Sequence, residues 1–142
     1  MYPFRSSSMP FALAAQSYRT LDFGVNLSGF LGARVTARKP TRLFATFDEI
    51  LSDGDVNWRR LSCVNIVAWE LAPGTHTLQS FEPYTLRYLK LICVEGACQV
   101  EGVYLREYAH PPVQAQFTSS DERLNRIFAA GVENGAHGCY LR

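Results

Sequence analysis

The chain has 142 residues, a formal net charge of +1, 47% hydrophobic residues and 19% charged residues. That length suits one domain, or one domain plus a piece of another. The near-neutral charge gives no electrostatic ground for nucleic acid as a partner, and no apolar run approaches the ~20 residues of a membrane-crossing helix.

The opening stretch MYPFRSSSMPFALAAQS carries one Arg, a short apolar patch and small residues. Its apolar core is too short for an export signal, and serines and a proline precede it. Residues 1–17 are therefore read as an extended or disordered leader, which favours the cytoplasm over export. From about Tyr18 to Tyr108 the signals are those of strands and turns. YRTLDFG is an extended run closed by Gly24, and GFLGARVTARK is a second run ending before Pro40. TRLFATFDEIL alternates, with Leu43, Ala45 and Phe47 on one side. SDGD is a turn cluster. VNIVAWELA is apolar on both sides of its alternation and reads as a strand covered on both faces. PGTH reads as a tight turn holding His76, and TLQSF, TLRYLKLICV and CQVEGVYLREY follow as strands. Gly102 interrupts the last alternation and suggests a bulge. Short strands with frequent Gly, Pro and Asp turns predict an all-β, antiparallel, jelly-roll-like sandwich over residues 18–109.

HPPVQAQF, residues 110–117, is a linker, stiffened by two prolines. Then FTSSDERLNRIFAAGVENG reads as a helix start. Ser119 and Glu122 have capping-box spacing, and Leu124, Ile127, Phe128 and Val132 fall on one face at the helical period. Such a face needs a covering. The spacing favours a helix folded back on the sandwich with Phe117 as anchor, over a dimer through the helix.

The four cysteines, at 63, 93, 98 and 139, contain no CxxC pair, and no Cys/His cluster has metal-ligand spacing. Cys93 and Cys98 flank the hairpin loop VEGA, where a disulfide is geometrically open, although buried free thiols are the simpler expectation. His76, His110 and His137 have no partner at catalytic spacing. No metal and no cofactor are expected.

The stretches LDFGVNLSGFLGARV, FDEIL with SDGDV, FEPYTLRYLKL, VYLREY and FTSSDERLNRIFAAGVE, in that order, resemble the bacterial α-L-rhamnosidase-like glycoside hydrolases, family seventy-eight and its relatives. The resemblance implies that residues 18–109 are a β-sandwich preceding a six-hairpin α/α barrel, and that residues 118–142 are the first helix of that barrel. It further implies hydrolysis of a terminal rhamnoside or related glycoside in the complete enzyme. The catalytic carboxylates would lie on the barrel, so this chain is expected to be inactive alone. NGAHGCYLR, after Glu133, departs from the family pattern. The implied partners are the catalytic barrel and a rhamnoside-containing glycan. The alternatives are a stand-alone carbohydrate-binding module and a structural interaction domain that uses its C-terminal helix.

Glycoside hydrolysis usually employs two carboxylates flanking the scissile bond, so Asp48, Glu49, Asp53 and Asp55 require attention. Neighbours in a strand face opposite ways, and Asp beside Gly is common in turns, so these four read as structural. A calcium loop lacks its closing Glu. For sugar contact the candidates are Trp58, Arg59 and Arg60, an aromatic and two guanidinium groups beside a turn. Trp69 sits mid-strand and reads as core or interface. Glu82 is expected to pair with an Arg.

Overall fold

A computed structural model describes residues 4–6, 10–107 and 114–136. Ten strands and one helix follow in chain order: β1 (Phe4–Ser6), β2 (Phe11–Ala14), β3 (Ser17–Ala37), β4 (Thr41–Asp48), β5 (Leu51–Ser52), β6 (Asp55–Val56), β7 (Ile66–Leu71), β8 (Gly74–Gln79), β9 (Tyr84–Glu95), β10 (Ala97–Glu107) and α1 (Glu122–Ala136). A single 3₁₀ turn occupies Arg60–Ser62.

The long strand β3 organises the sandwich. Its first part, Ser17–Asp22, pairs with β9, which pairs in turn with β4, and β4 with β7. Its last part, Gly32–Ala37, lies between β8 and β10. The far edge of β10 is closed by β2 and β1. All these pairings are antiparallel, so β3 serves as a member of both layers. The two runs read separately around Gly24 are thus one strand. Between Asp22 and Leu27 its register with β9 shifts, and Phe23–Asn26 form a bulge, with Gly24 at φ +83° and Phe23 against the core. Arg87 of β9 closes the gap: its Nε and Nη2 donate to Asp22 at 2.9 and 3.0 Å. Asp22 also accepts from the Gly24 N–H at 2.7 Å.

The core follows from alternation. Leu43, Ala45 and Phe47 of β4 meet Leu89, Leu91 and Cys93 of β9 on the inner face of one layer. Leu31, Ala33, Val35 and Ala37 of β3 meet Leu105, Val103, Val100 and Cys98 of β10 on the other. The expected irregularity in β10 is present: one extra residue, Glu101, separates Val100 from Gly102 in the register with β3. Gly96 turns β9 into β10 at φ +88°, where a Cβ would stand 2.3 Å from Thr41 Oγ1. No other residue type fits that turn.

Several expectations need correction. Part of the stretch read as leader belongs to the sandwich, since β2 pairs with β10 and Phe11 and Leu13 enter the core. Strand β7 is an edge strand with one face open, because Ala68 and Glu70 are exposed. His76 lies in β8, not in the preceding turn, and its Nε2 sits 2.8 Å from the Ala72 carbonyl. Glu82 is bonded to the Tyr84 hydroxyl at 3.2 Å rather than to an Arg. His110 and His137 lie outside the described residues.

The helix begins later than the capping box implied. Asp121 is the cap: its carboxylate accepts from the Arg123 N–H at 2.9 Å. Ser119 Oγ accepts from the Asp121 N–H at 3.2 Å, and the Asn125 amide clamps both the N–H and the C=O of Ser119. Fold-back on the sheet is not what the structure shows. Leu124 and Ile127 are 47% and 68% exposed, and Phe117 packs on Phe128 of the helix itself, with ring centroids 5.3 Å apart. No described helix is long and apolar enough to cross a membrane.

Candidate functional site

The candidate sugar-contact residues lie on residues 49–65, a loop that leaves the end of β4 and folds across the outer face of its layer. The hairpin of β5 and β6 opens this loop. Its two turn residues, Asp53 and Gly54, both have positive φ, at 53° and 81°, the geometry that suits the Asp-Gly pair. Asp53 is therefore a turn residue. Val56 is buried and fixes the hairpin to the sheet.

Asp48 is only 1% exposed, although it is a carboxylate at the end of a strand. Arg60 returns along the loop to cover it, with Nε 2.7 Å from Asp48 Oδ2 and Nη2 2.8 Å from Oδ1. The same guanidinium reaches Glu49 at 3.2 Å, and Asp48 also accepts from the Glu49 N–H at 2.8 Å. Strand β4 ends at Asp48, so the rule that neighbours face apart lapses and both carboxylates converge on one cation. The pairing with Asp48 pushes the Arg60 guanidinium further toward its charged form. Desolvated charges are retained only when paired and hydrogen-bonded in this way.

Next to this clamp, the Arg59 guanidinium lies over the Trp58 ring, 4.3 Å from its centroid. Trp58 remains 36% exposed. So the three candidates divide. Trp58 and Arg59 form an accessible stacked pair, and Arg60 is committed to Asp48 and Glu49. Trp69 packs, half-buried, against the core.

A second constellation was not foreseen. Lys90 of β9 is bonded to Asp55 and covers the Tyr18 ring, 4.0 Å from its centroid. The Lys90 hydrogen bond, then the Val56 N–H, holds the Asp55 carboxyl below its usual range. The Arg87 bond does the same for Asp22. A sequence signal existed: Lys90 interrupts an apolar strand at alternate spacing, which places it on the face opposite Leu89 and Leu91. Its partners come from distant parts of the chain and leave no local trace.

The acidic residues of the 48–55 stretch are thus accounted for: Asp48 and Glu49 on Arg60, Asp53 in a turn, Asp55 on Lys90. Among the described residues no three His, Cys, Asp or Glu side chains gather to hold a metal ion. Cys93 and Cys98 are buried with free thiols. Burial, and then the neighbouring Cys93, pushes the Cys98 thiol up to about 11.

An antiparallel sandwich followed by a capped helix is the class of structure these observations define. Among solved structures, the GH78 family rhamnosidase of Bacillus sp. GL1 is similar with a TM-score of 0.67 and 24% identity, over 82% of this chain and 13% of its own. The rhamnosidase from Klebsiella oxytoca, solved with rhamnose bound, gives a TM-score of 0.67 at 20% identity, over 89% of this chain and 28% of its own. The α-L-rhamnosidase from Aspergillus terreus gives 0.51 at 22%, over 70% and 13%. The chain therefore spans only a small part of the length of these enzymes. No protein-family model matches it, and no curated protein matches it.

Proposed function

We propose that the chain is the accessory β-sandwich of an α-L-rhamnosidase-like glycoside hydrolase, and that α1 is the first helix of the catalytic α/α barrel. The sandwich braces that barrel, and the hydrolysis of terminal rhamnosides or related glycosides belongs to the barrel. One observation carries the reading. The likeness to two rhamnosidases covers 82% and 89% of this chain but only 13% and 28% of theirs, which supports a segment that accompanies a larger enzyme. The engagement of Asp48, Glu49 and Asp55 in ion pairs supports inactivity of the chain alone.

Two measurements test this. The purified chain is expected not to turn over aryl rhamnosides or other aryl glycosides, and turnover abolished by Asp48→Asn or Asp55→Asn would overturn the accessory role. Sequencing the DNA on both sides of the coding stretch should reveal, in some frame or the adjoining gene, an α/α barrel with its own acidic pair. Its absence on both sides would favour a stand-alone module. Within the proposed role any sugar contact falls to Trp58 and Arg59, since Arg60 is already engaged. Rhamnose titration followed by Trp fluorescence in the wild type and in Trp58→Ala tests that assignment. An unchanged response in the variant removes Trp58.

A further inference from the structure

The turn between β9 and β10 brings two cysteines together inside the sandwich. Cys93 is the last inward residue of β9, after Leu89 and Leu91. Cys98 is the first inward residue of β10, before Val100 and Val103. Strand β9 belongs to one layer and β10 to the other, so the two side chains face each other across the interior. Only residues 94–97 lie between them. Both are buried, at 0% and 5% exposure, and both thiols are free. They share a hydrogen bond with one another, and Cys93 Sγ also donates to the Glu95 carbonyl at 3.3 Å.

Their proximity is set by the backbone. Gly96 carries the turn and is pressed against the preceding connection, where a Cβ would stand 2.5 Å from the Pro40 carbonyl oxygen. Thr41 Oγ1 accepts from the Ala97 N–H at 3.2 Å and donates to the Lys39 carbonyl at 2.8 Å. Cys93 is held in register opposite Leu43 on one side and Ser17 on the other. Cys98 is held opposite Ala37 and Leu13. Each cysteine is therefore flanked by a strand on both sides, and the turn that joins them is tied down. Valine or alanine at these positions would serve a core equally well. Two thiols in contact add a capacity that no hydrocarbon pair has, since their sulfurs can be joined by a covalent bond.

We propose that Cys93 and Cys98 form an oxidative modification site, at which hydrogen peroxide joins the two sulfurs in a reversible disulfide that ties the two layers together at the β9–β10 turn. In the first step one cysteine, as its thiolate, attacks a peroxide oxygen. The O–O bond breaks, a sulfenic acid forms, and the departing hydroxide takes up the proton that the thiol released. In the second step the sulfur of the other cysteine attacks the sulfenic sulfur. The S–O bond breaks, the S–S bond forms, and the hydroxide leaves as water with the second thiol proton. Two thiols and one peroxide thus give one disulfide and two waters. A dithiol reductant reverses the bond by exchange.

Burial holds both thiols toward the neutral form, and the thiolate is the nucleophile. The pair therefore reacts more slowly than an exposed cysteine, such as Cys63. The site is a slow lock and not a fast sensor: its bond is transient in a reducing compartment and lasting in an oxidising one. The inference stands on the β9–β10 turn and does not depend on the glycosidase reading.

The test uses the full chain carrying Cys63→Ser and Cys139→Ser, which leaves only the pair. After hydrogen peroxide and then unfolding, iodoacetamide should label neither cysteine. The tryptic peptide 91–106, which holds both, should be lighter by two hydrogens, and the chain should stay monomeric on a non-reducing gel. The oxidised form should melt several degrees higher, because the bond closes a ring in the native turn. Dithiothreitol should restore both the labelling and the original transition. In the same background, Cys93→Ala and Cys98→Ala are the controls, and peroxide should raise neither transition. Full labelling of both cysteines after treatment overturns the proposal, and so does a gain of oxygen at either cysteine in place of the bond. A disulfide between molecules, a bond that lowers the transition, or an equal rise in either control overturns it as well.

Discussion

The C-terminal half of strand β4 is buried on both of its faces, and the two burials have different physical origins. Inward, Leu43, Ala45 and Phe47 are covered by other strands and by each other. Outward, Thr46 and Asp48 are just as deeply covered, by a loop held down by Val56 and by the Arg60 clamp. The inner face gains from removing apolar area from water, a non-directional effect that tolerates exchange among side chains of similar volume. The outer face depends on a bidentate cation fixed in one place. Burial by itself therefore does not report how a surface is stabilised, and the two faces should differ in which substitutions they tolerate.

The largest effect is expected on the inner side. Phe47 is fully buried and its ring lies 4.5 Å from that of Tyr84. Phe47→Ala should cost about 3–5 kcal/mol in a denaturant melt, against a typical total of about 5–15 kcal/mol for a domain. Phe47→Leu should cost far less. A loss under about 1 kcal/mol for the alanine would show that this face is not the main source of stability.

The clamp comes next. Asp48→Ala leaves the Arg60 guanidinium under the loop with only Glu49, and also removes the acceptor of the Glu49 N–H. The expected loss is about 2 kcal/mol, with little dependence on salt because Asp48 is desolvated. The sharper measurement is the pair Asp48→Leu with Arg60→Met. Replacing both members of a buried ion pair by apolar groups is often near neutral, so the double variant should recover most of the loss. If it is no more stable than Asp48→Ala, the outer face needs the charges for its shape.

The same contrast explains what was legible in the sequence. TRLFATFD alternates locally, so the inward set of β4 followed from the residues alone. That Asp48 would be buried depended on Arg60 returning after twelve residues, and no local pattern encodes that return. Gly24 looked like a strand end, because the Arg87 that ties the bulge lies 65 positions from Asp22. FALA, within the supposed leader, was too short to show a period, and its partner β10 lies at the other end of the chain. Trp58 was placed correctly beside a turn. The commitment of Arg60 was not visible, since a guanidinium two residues from a tryptophan reads equally as ligand contact or as clamp.

The apolar side has its own titrating group. Cys98 is buried among the inward residues of β10, and its thiol is held up at about 11 from a reference of 9.0. The neutral thiol is the form the fold accepts. The contribution is therefore complete below the unfolded value and is lost as pH rises from 9 toward 11. At pH 10 the loss should be about 1.4 kcal/mol. Cys98→Ala should flatten that alkaline slope while costing a small cavity at neutral pH. An identical slope in the variant would assign it to other groups.

The smallest effects belong to the exposed ion pairs that border the outer face. Asp55 is paired with Lys90 and Asp22 with Arg87, and in each case the hydrogen bond from the cation is the leading cause of a carboxyl held below 3.8. A folded value below the unfolded one gives stability that is present above the unfolded value and is lost as pH falls through the folded one. The window is therefore acidic, below about pH 4. Both carboxylates are partly exposed, at 54% and 44%, so solvent screening limits each pair to about 0.5 kcal/mol. Asp55→Asn should then lower the melting temperature slightly at pH 7 and in low salt, and the difference should vanish in 1 M salt. It should also shrink as pH falls below about 4, as the wild-type carboxylate is itself protonated. Arg87→Lys distinguishes the second pair from the first, because lysine keeps the charge but not the two-pronged bond that ties the Phe23–Asn26 bulge. If Arg87→Lys costs as much as Arg87→Ala, geometry and not charge holds that bulge in register. If it costs nothing, the bulge is set by the backbone of Gly24 and the Asp22 bond to its N–H.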